Sequence, residues 1–248
     1  MSGGDYARAR VLVGGSRRAV ALTGAGISTP SGIHDFRSPG TGLWSKVDPE
    51  EVASINSFLR NPAGFYNWFE ETAQAILAAE PNPAHRALAE MEERGILRAV
   101  VTQNIDGLHQ KAGSRYVLEL HGNFTRSTCL SCGARYDGRL LLERFRQDQQ
   151  VPHCSCGGLV RPDVVFFGEM LPLAVLQKAQ EEIATCDLLL VVGSSLVVTP
   201  AAKLPWLAIR AGSPLIVCNL QETWADPFAQ VVLREDVARS LPVLLGSG

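Results

Sequence analysis

Short apolar runs alternate with longer amphipathic stretches along most of this chain. Ala19–Thr23 is a five-residue apolar run stopped by Gly24. Residues 98–102, 116–120, 164–167, 187–192 and 215–219 repeat that pattern. Runs this short and this apolar read as strands of a parallel sheet buried on both faces. Between them lie helical segments. Asn82-Pro83 offers a cap and a first-turn proline, and Gly95 ends that helix. Residues 172–185 and 200–211 follow the same logic. The alternation predicts an α/β fold with a doubly wound parallel sheet. Two stretches break the rhythm and read as insertions. In the first, residues 38–80, Phe65, Trp68, Phe69, Ala73, Ile76 and Leu77 recur at helical spacing after Asn61-Pro62, which is what a packed helix requires. The second, residues 123–162, carries clustered cysteines.

Composition narrows the class. At 248 residues and 46% hydrophobic, the chain can bury one large core plus a small module. A net charge of -2 lacks the basic excess of a nucleic-acid binder, so no direct nucleic-acid partner is expected. The N-terminus has arginines but no long apolar core before a cleavage site, and the run at 188–192 is too short to span a bilayer. The expected location is cytoplasmic, with no membrane partner, and a monomer is favoured. Cys129, Cys132, Cys154 and Cys156 are spaced Cys-x2-Cys, then 21 residues, then Cys-x-Cys. Four thiolates suit one tetrahedral zinc with no open coordination position, hence a structural site. His153 is an alternative ligand, and a bare thiol cluster is the bland reading. Cys186 and Cys218 stand alone beside apolar runs and read as core filler.

Gly24-Ala25-Gly26 follows the first strand, where glycines allow a tight turn and close approach to a pyrophosphate. The third glycine of the dinucleotide fingerprint is missing, since Thr29 stands there, so a structural turn and a nucleotide loop are both open. The loop continues as GAGISTPSGIHDFRS. Together with TQNID at 102–106, His121-Gly122, Gly193-Ser194-Ser195 and Asn219-Leu220, it resembles the sirtuin signature. The segments occur in sirtuin order over residues 20–240, and the chain is similar to the short, bacterial-type members. The cysteine cluster falls where a sirtuin zinc module would lie.

The resemblance implies an NAD-binding, Rossmann-like domain (residues 1–37, 81–122 and 163–248) and a smaller domain made of the helical insertion (38–80) and the zinc module (123–162). It implies cleavage of the nicotinamide–ribose bond of NAD, attack by an acyl-lysine oxygen to give an alkylimidate, and release of lysine and O-acyl-ADP-ribose. His121 would be the general base, and an imidazole pKa of about 6.5 suits that task. Asn104 and Asp106 would serve the nicotinamide and ribose, although Asp106 could equally cap the helix that follows. The implied cofactor contacts are Gly24, Ala25, Gly26, Ser28, Thr29, Ile33, Asp35, Phe36, Arg37, Gln103, Ile105, Gly193, Ser194, Ser195, Asn219, Leu220 and Val237. Phe36 would shield the reacting centre from water and Arg37 would meet charge on ribose or phosphate. His34 stands where the family usually has proline, which should loosen that loop.

Val164, Val165, Phe166, Phe167, Gly168 and Glu169 resemble the segment that pairs by strand addition with an acyl-lysine peptide, with Val197 across the tunnel. Sirtuins that favour acidic acyl groups carry Tyr-x-x-Arg in the helical insertion. Here Tyr66 matches the tyrosine and Phe69 stands at the arginine position. A buried succinyl carboxylate would lack its cation. Deacetylation, or removal of longer apolar acyl groups, is therefore expected over desuccinylation. The alternative with the same NAD cleavage is a protein mono-ADP-ribosyltransferase. A non-catalytic NAD sensor is opposed by His121, Asn104 and Asp106 together, and a hydride-transferring dehydrogenase by the broken glycine pattern.

Overall fold

A computed structural model describes residues 3–35 and 47–246. In chain order the elements are α1 (Gly3–Gly15), β1 (Ala19–Thr23), α2 (Pro49–Val52), α3 (Ile55–Arg60), α4 (Pro62–Ala78), α5 (Pro83–Glu93), β2 (Leu97–Thr102), α6 (Leu108–Lys111), β3 (Val117–Glu119), β4 (Gly122–Cys129), β5 (Arg135–Asp137), α7 (Gly138–Asp148), β6 (Val160–Val164), α8 (Leu173–Ala184), β7 (Leu188–Val192), α9 (Pro205–Ala211), β8 (Leu215–Cys218), β9 (Val231–Leu233) and α10 (Val237–Leu244). Among the described residues, no helix is long and apolar enough to cross a membrane.

Six strands form one parallel sheet in the order β3-β2-β1-β7-β8-β9. This is the doubly wound architecture the alternation predicts. Every residue of β1 and β7 is buried, because helices cover both faces. One face packs on α1, α5 and α10 through Ala9, Val13, Leu88, Met91 and Leu241. The other packs on α8 and α9 through Ala179, Ile183 and Ala208. The strand order reverses at β1, between β2 and β7. That opens a crevice at the carboxyl ends of those strands, where such sheets bind ligands.

The helix at α5 starts as its cap residues dictate. The Asn82 side chain accepts from the Ala84 N–H at 2.9 Å. The segment expected as one helix at 200–211 is interrupted. A 3-10 turn spans Ala201–Lys203, and Pro205, which has no N–H to give, starts α9 afresh.

One strand expectation is corrected. Residues 164–167 do not join the parallel sheet. Val160–Val164 forms β6, which pairs antiparallel with β4 in a separate three-stranded sheet, β5-β4-β6. Residues beyond Val164 continue as an extended lip. Phe167 bridges to Ser54 in parallel, while the Val165 N–H donates to the His121 carbonyl at 2.9 Å. The small sheet and α3, α4 and α7 share a core of Phe58, Phe65, Tyr66, Phe69, Phe145 and Phe166.

Candidate active site

The carboxyl ends of the sheet strands converge on one cleft of about 610 Å³, within the roughly 300–1,000 Å³ common for small-molecule sites. β1 delivers Gly24, Ala25 and Gly26. β2 delivers Gln103, Asn104 and Ile105. β7 delivers Gly193, Ser194 and Ser195, and β8 delivers Asn219 and Leu220. His121 lies two residues beyond β3 and immediately before β4. Asp236 and Val237, after β9, close the far end. Thr29 and Asp35 also face the cleft. The opposite wall is Val164 to Glu169, with Phe65, Trp68 and Phe69 of α4.

The glycines of the loop are needed for packing whatever binds there. A Cβ on Gly24 or Gly26 would sit 2.9 or 2.8 Å from the Gly193 carbonyl oxygen. One on Gly193, at φ +58, would sit 2.2 Å from the Ile27 nitrogen. The two loops therefore cross backbone to backbone, with the Gly26 N–H donating to the Gly193 carbonyl at 2.8 Å. The structural-turn reading of this loop holds, and the same loop also lines the cleft.

His121 has a defined tautomer. Its Nδ1 lies 2.8 Å from the Gln103 carbonyl oxygen, which can only accept, so Nδ1 carries the hydrogen. In the neutral ring the basic lone pair is then on Nε2. Gly122 next to it has φ +77, and a Cβ there would lie 2.0 Å from the Asp163 carbonyl oxygen. Gly122→Ala should therefore cost more than the roughly 1–3 kcal/mol of left-handed strain alone. Urea unfolding of the variant checks this; an unchanged midpoint would refute it.

Asn104 and Asp106 sit in a buried network. The Asn104 amide donates to the Gly24 carbonyl at 3.2 Å and to the Ser28 hydroxyl at 3.1 Å. Ser28 donates to Asp106 at 2.7 Å. Burial raises the Asp106 carboxyl above its ordinary value, opposed by the Ser28 and Leu108 hydrogen bonds. Its other oxygen accepts from the Leu108 N–H at 2.9 Å, so the helix-cap reading of Asp106 also holds. Behind Ser28 lies the fully buried His85, whose pKa burial lowers to about 4. The adjacent His109 is buried too, and burial holds its pKa well below the imidazole range.

The Sir2 family model matches residues 24–200. A deacylase of Archaeoglobus fulgidus, "NAD-dependent protein deacylase 2", is 49% identical over 97% of this chain and 95% of its own length. The "NAD-dependent protein deacetylase" of Sulfurisphaera tokodaii is 46% identical over 93% and 90%. The chain belongs to the Sir2 family. A solved Sir2 structure with a p53 peptide and NAD+ covers 100% of this chain and 99% of its own, at 41% identity and a TM-score of 0.89.

Ser28, Ile33 and Asp106 are buried and are not among the described lining residues, and Ser28 bonds both Asp106 and the lining residue Asn104. Val197 is exposed beside the lining residue Val198. Phe36 and Arg37 lie outside the described residues. Tyr66 turns away from the cleft: its hydroxyl donates to the Val160 carbonyl at 3.0 Å, and burial raises its pKa. Phe65, Trp68 and Phe69 line the cleft instead, although their spacing read as helix packing. Ala53, Leu171, Gln221 and Asp236 also line it, with no sequence signal that singles them out.

The four cysteine sulfurs lie within 4.8 Å of one another. Cys129–Cys156 and Cys132–Cys154 are 3.6 and 3.5 Å apart. Four sulfurs about 2.3 Å from one zinc would be separated by roughly 3.8 Å, so the donor set and its spacing fit tetrahedral zinc. The alternative ligand His153 directs Nδ1 to the Val151 carbonyl at 2.8 Å.

Proposed function

We propose that this Sir2 protein is an NAD-dependent protein-lysine deacylase with one structural zinc held by Cys129, Cys132, Cys154 and Cys156. The observation that carries the reading is the cleft floor. It presents the His121 imidazole beside Asn104, on a polar arc of strand ends, facing an apolar wall. NAD, when bound, supplies a nicotinamide–ribose bond whose cleavage gives the acyl acceptor. The amides of Gly24, Gly26 and Gly193 are used within the fold, so Ala25, Ser194 and Ser195 are the positions that offer backbone amides to phosphates, and Asn219 and Val237 lie at the adenosine end. His121 takes a proton from ribose at Nε2 while Nδ1–H stays anchored on Gln103. Asn104, fixed by Gly24 and Ser28, orients the ribose side. Asp106 holds Ser28, and through it Asn104, at the nicotinamide side. Phe65, Trp68 and Phe69 exclude water from the acyl end.

The peptide adds as a strand along Val164 to Gly168, with Val197 opposite. In support, Sir2 neighbours have been solved with a p53 peptide and NAD+ and with a propionylated peptide. The NAD-binding domain is assigned to residues 1–37, 81–122 and 163–248, the helical insertion to 38–80 and the zinc module to 123–162.

The acyl group should be uncharged. Among the described residues lining the cleft, the acidic side chains are Asp35, Glu169 and Asp236, with no lysine or arginine. A buried succinyl carboxylate would find no cation among these described residues. Acetyl peptide should be turned over at least about a hundredfold faster than succinyl peptide, a gap of roughly 3 kcal/mol. Comparable rates would refute this. The enzyme class is tested with adenylate-labelled NAD and an acetylated protein. Label in a small acyl-ADP-ribose fraction supports the deacylase; label retained on protein supports mono-ADP-ribosyl transfer.

A further inference from the structure

The lip after β6 folds back on itself around one ion pair. Arg161 Nη1 and Nη2 donate to Glu169 Oε1 and Oε2 at 2.6 and 2.8 Å, a two-pronged pair. Nη2 also donates to the Val164 carbonyl at 2.6 Å, and the guanidinium carbon lies 4.7 Å from the centroid of the Phe166 ring. Glu169 Oε2 accepts the Phe166 N–H at 2.9 Å, and the Glu169 N–H donates to the Phe166 carbonyl at 3.1 Å. Burial raises the Glu169 carboxyl, but the hydrogen bonds from Arg161 and Phe166 outweigh that and hold it below the ordinary carboxylate value. The two side chains are only 15% and 25% exposed, so water screens the pair weakly.

The clamped segment is latched to the rest of the site on both sides. The Val165 N–H donates to the His121 carbonyl at 2.9 Å. The Phe167 N–H donates to the Ala53 carbonyl at 2.9 Å, and the Ile55 N–H donates to the Phe167 carbonyl at 3.0 Å. Arg161 is not among the cleft-lining residues, and Glu169, which is, has both oxygens engaged within the lip. The pair therefore shapes the lip rather than offering it a ligand.

We propose that Arg161 and Glu169 are positioning residues whose ion pair fixes the lip against which the acylated peptide lies. This rests on the deacylase reading above. Without the pair, the Val164 carbonyl and Phe166 N–H lose their fixed partners. The lip then samples geometries that cannot add a strand, and peptide capture weakens while NAD capture does not. A lysine cannot replace the arginine, because one ammonium cannot bridge both carboxylate oxygens in a fork.

The test compares Arg161→Lys and Glu169→Gln with wild type, varying an acetyl-lysine peptide and NAD separately, with thermal melts and NAD titration alongside. Peptide KM should rise at least about tenfold in each variant, as expected for a displaced binding surface. Turnover at saturation should change less than about threefold, the pattern of lost uniform binding. NAD affinity should match wild type. The double variant should be no worse than the worse single one, because both remove the same interaction. Peptide KM within about twofold of wild type in both variants would overturn the inference. So would loss of folding or of NAD binding in both, since a clamp on the peptide side predicts neither. Absence of wild-type turnover would count against the deacylase reading itself and take the clamp with it. Normal wild-type turnover with unmoved peptide KM would count against the clamp alone.

Discussion

Replacing His121 by alanine should lower acetyl-peptide turnover by about a hundredfold to ten-thousandfold, the usual worth of a positioned acid–base group. NAD binding should persist. The imidazole is one contact among many on the cleft floor, and the glycine crossing between Gly24, Gly26 and Gly193 does not involve it. His121→Asn is the sharper variant. It keeps a donor for the Gln103 carbonyl, which receives Nδ1–H at 2.8 Å, but offers no base. It should fall as far as alanine. Recovery of most activity in His121→Asn would mean that the anchor on Gln103 matters and proton transfer does not. Rates and NAD titrations on both variants check this.

The second large effect concerns the cysteines. Stripping zinc, or substituting Cys129→Ala, should remove up to roughly 10 kcal/mol of coupled folding energy from the small sheet, the scale seen in zinc-binding peptides. The consequence should reach the active site. β4 begins at Gly122, next to His121, and ends at Cys129. It pairs with β6 from Cys129↔Val160 to Gly122↔Val164. Fraying at the metal end loosens both strands that flank the imidazole. Acid should promote release, because the thiolates must be protonated to let the metal go. Thermal melts with zinc analysis before and after chelation measure this. An unchanged melt and unchanged activity after complete zinc removal would contradict it.

How much of this was legible in the chain varies by element. β1 and β7 were readable because both of their faces are buried, which forces an unbroken apolar run. α5 was readable because Asn82-Pro83 is a cap with a defined chemistry. β9 escaped notice because Val231–Leu233 is three residues long and too short to show a period. α1 escaped because Tyr6, Ala9, Leu12 and Val13 share GGDYARARVLVGG with exposed Arg10 and Val11, so its apolar stripe is faint. Residues 164–167 misled because Val-Val-Phe-Phe looks like a buried parallel strand. Its actual partners, residues 53–55 and His121, are remote in sequence, and register with them leaves no local mark.

The site was legible where chemistry demands particular residue types at fixed spacing: the glycine loop, Thr102 to Asp106, His121-Gly122 and the cysteines. It was illegible where a residue's role depends on what faces it. Helical spacing put Phe65, Trp68 and Phe69 on one face of α4, but spacing alone cannot distinguish a core face from a cleft wall. Tyr66 illustrates the converse, since one helical step sends its hydroxyl to the Val160 carbonyl and away from the acyl end. Ser28 and Asp106, expected as cofactor contacts, are buried and bonded to each other, an arrangement that spacing alone does not reveal.

The most direct test is the crystal structure of the protein with NAD and an acetyl-lysine peptide bound together. The account predicts His121 Nε2 within hydrogen-bond reach, about 3 Å, of a ribose hydroxyl, with Nδ1 still on Gln103. An imidazole facing solvent, or held more than about 5 Å from the sugar with no bridging water, would contradict it.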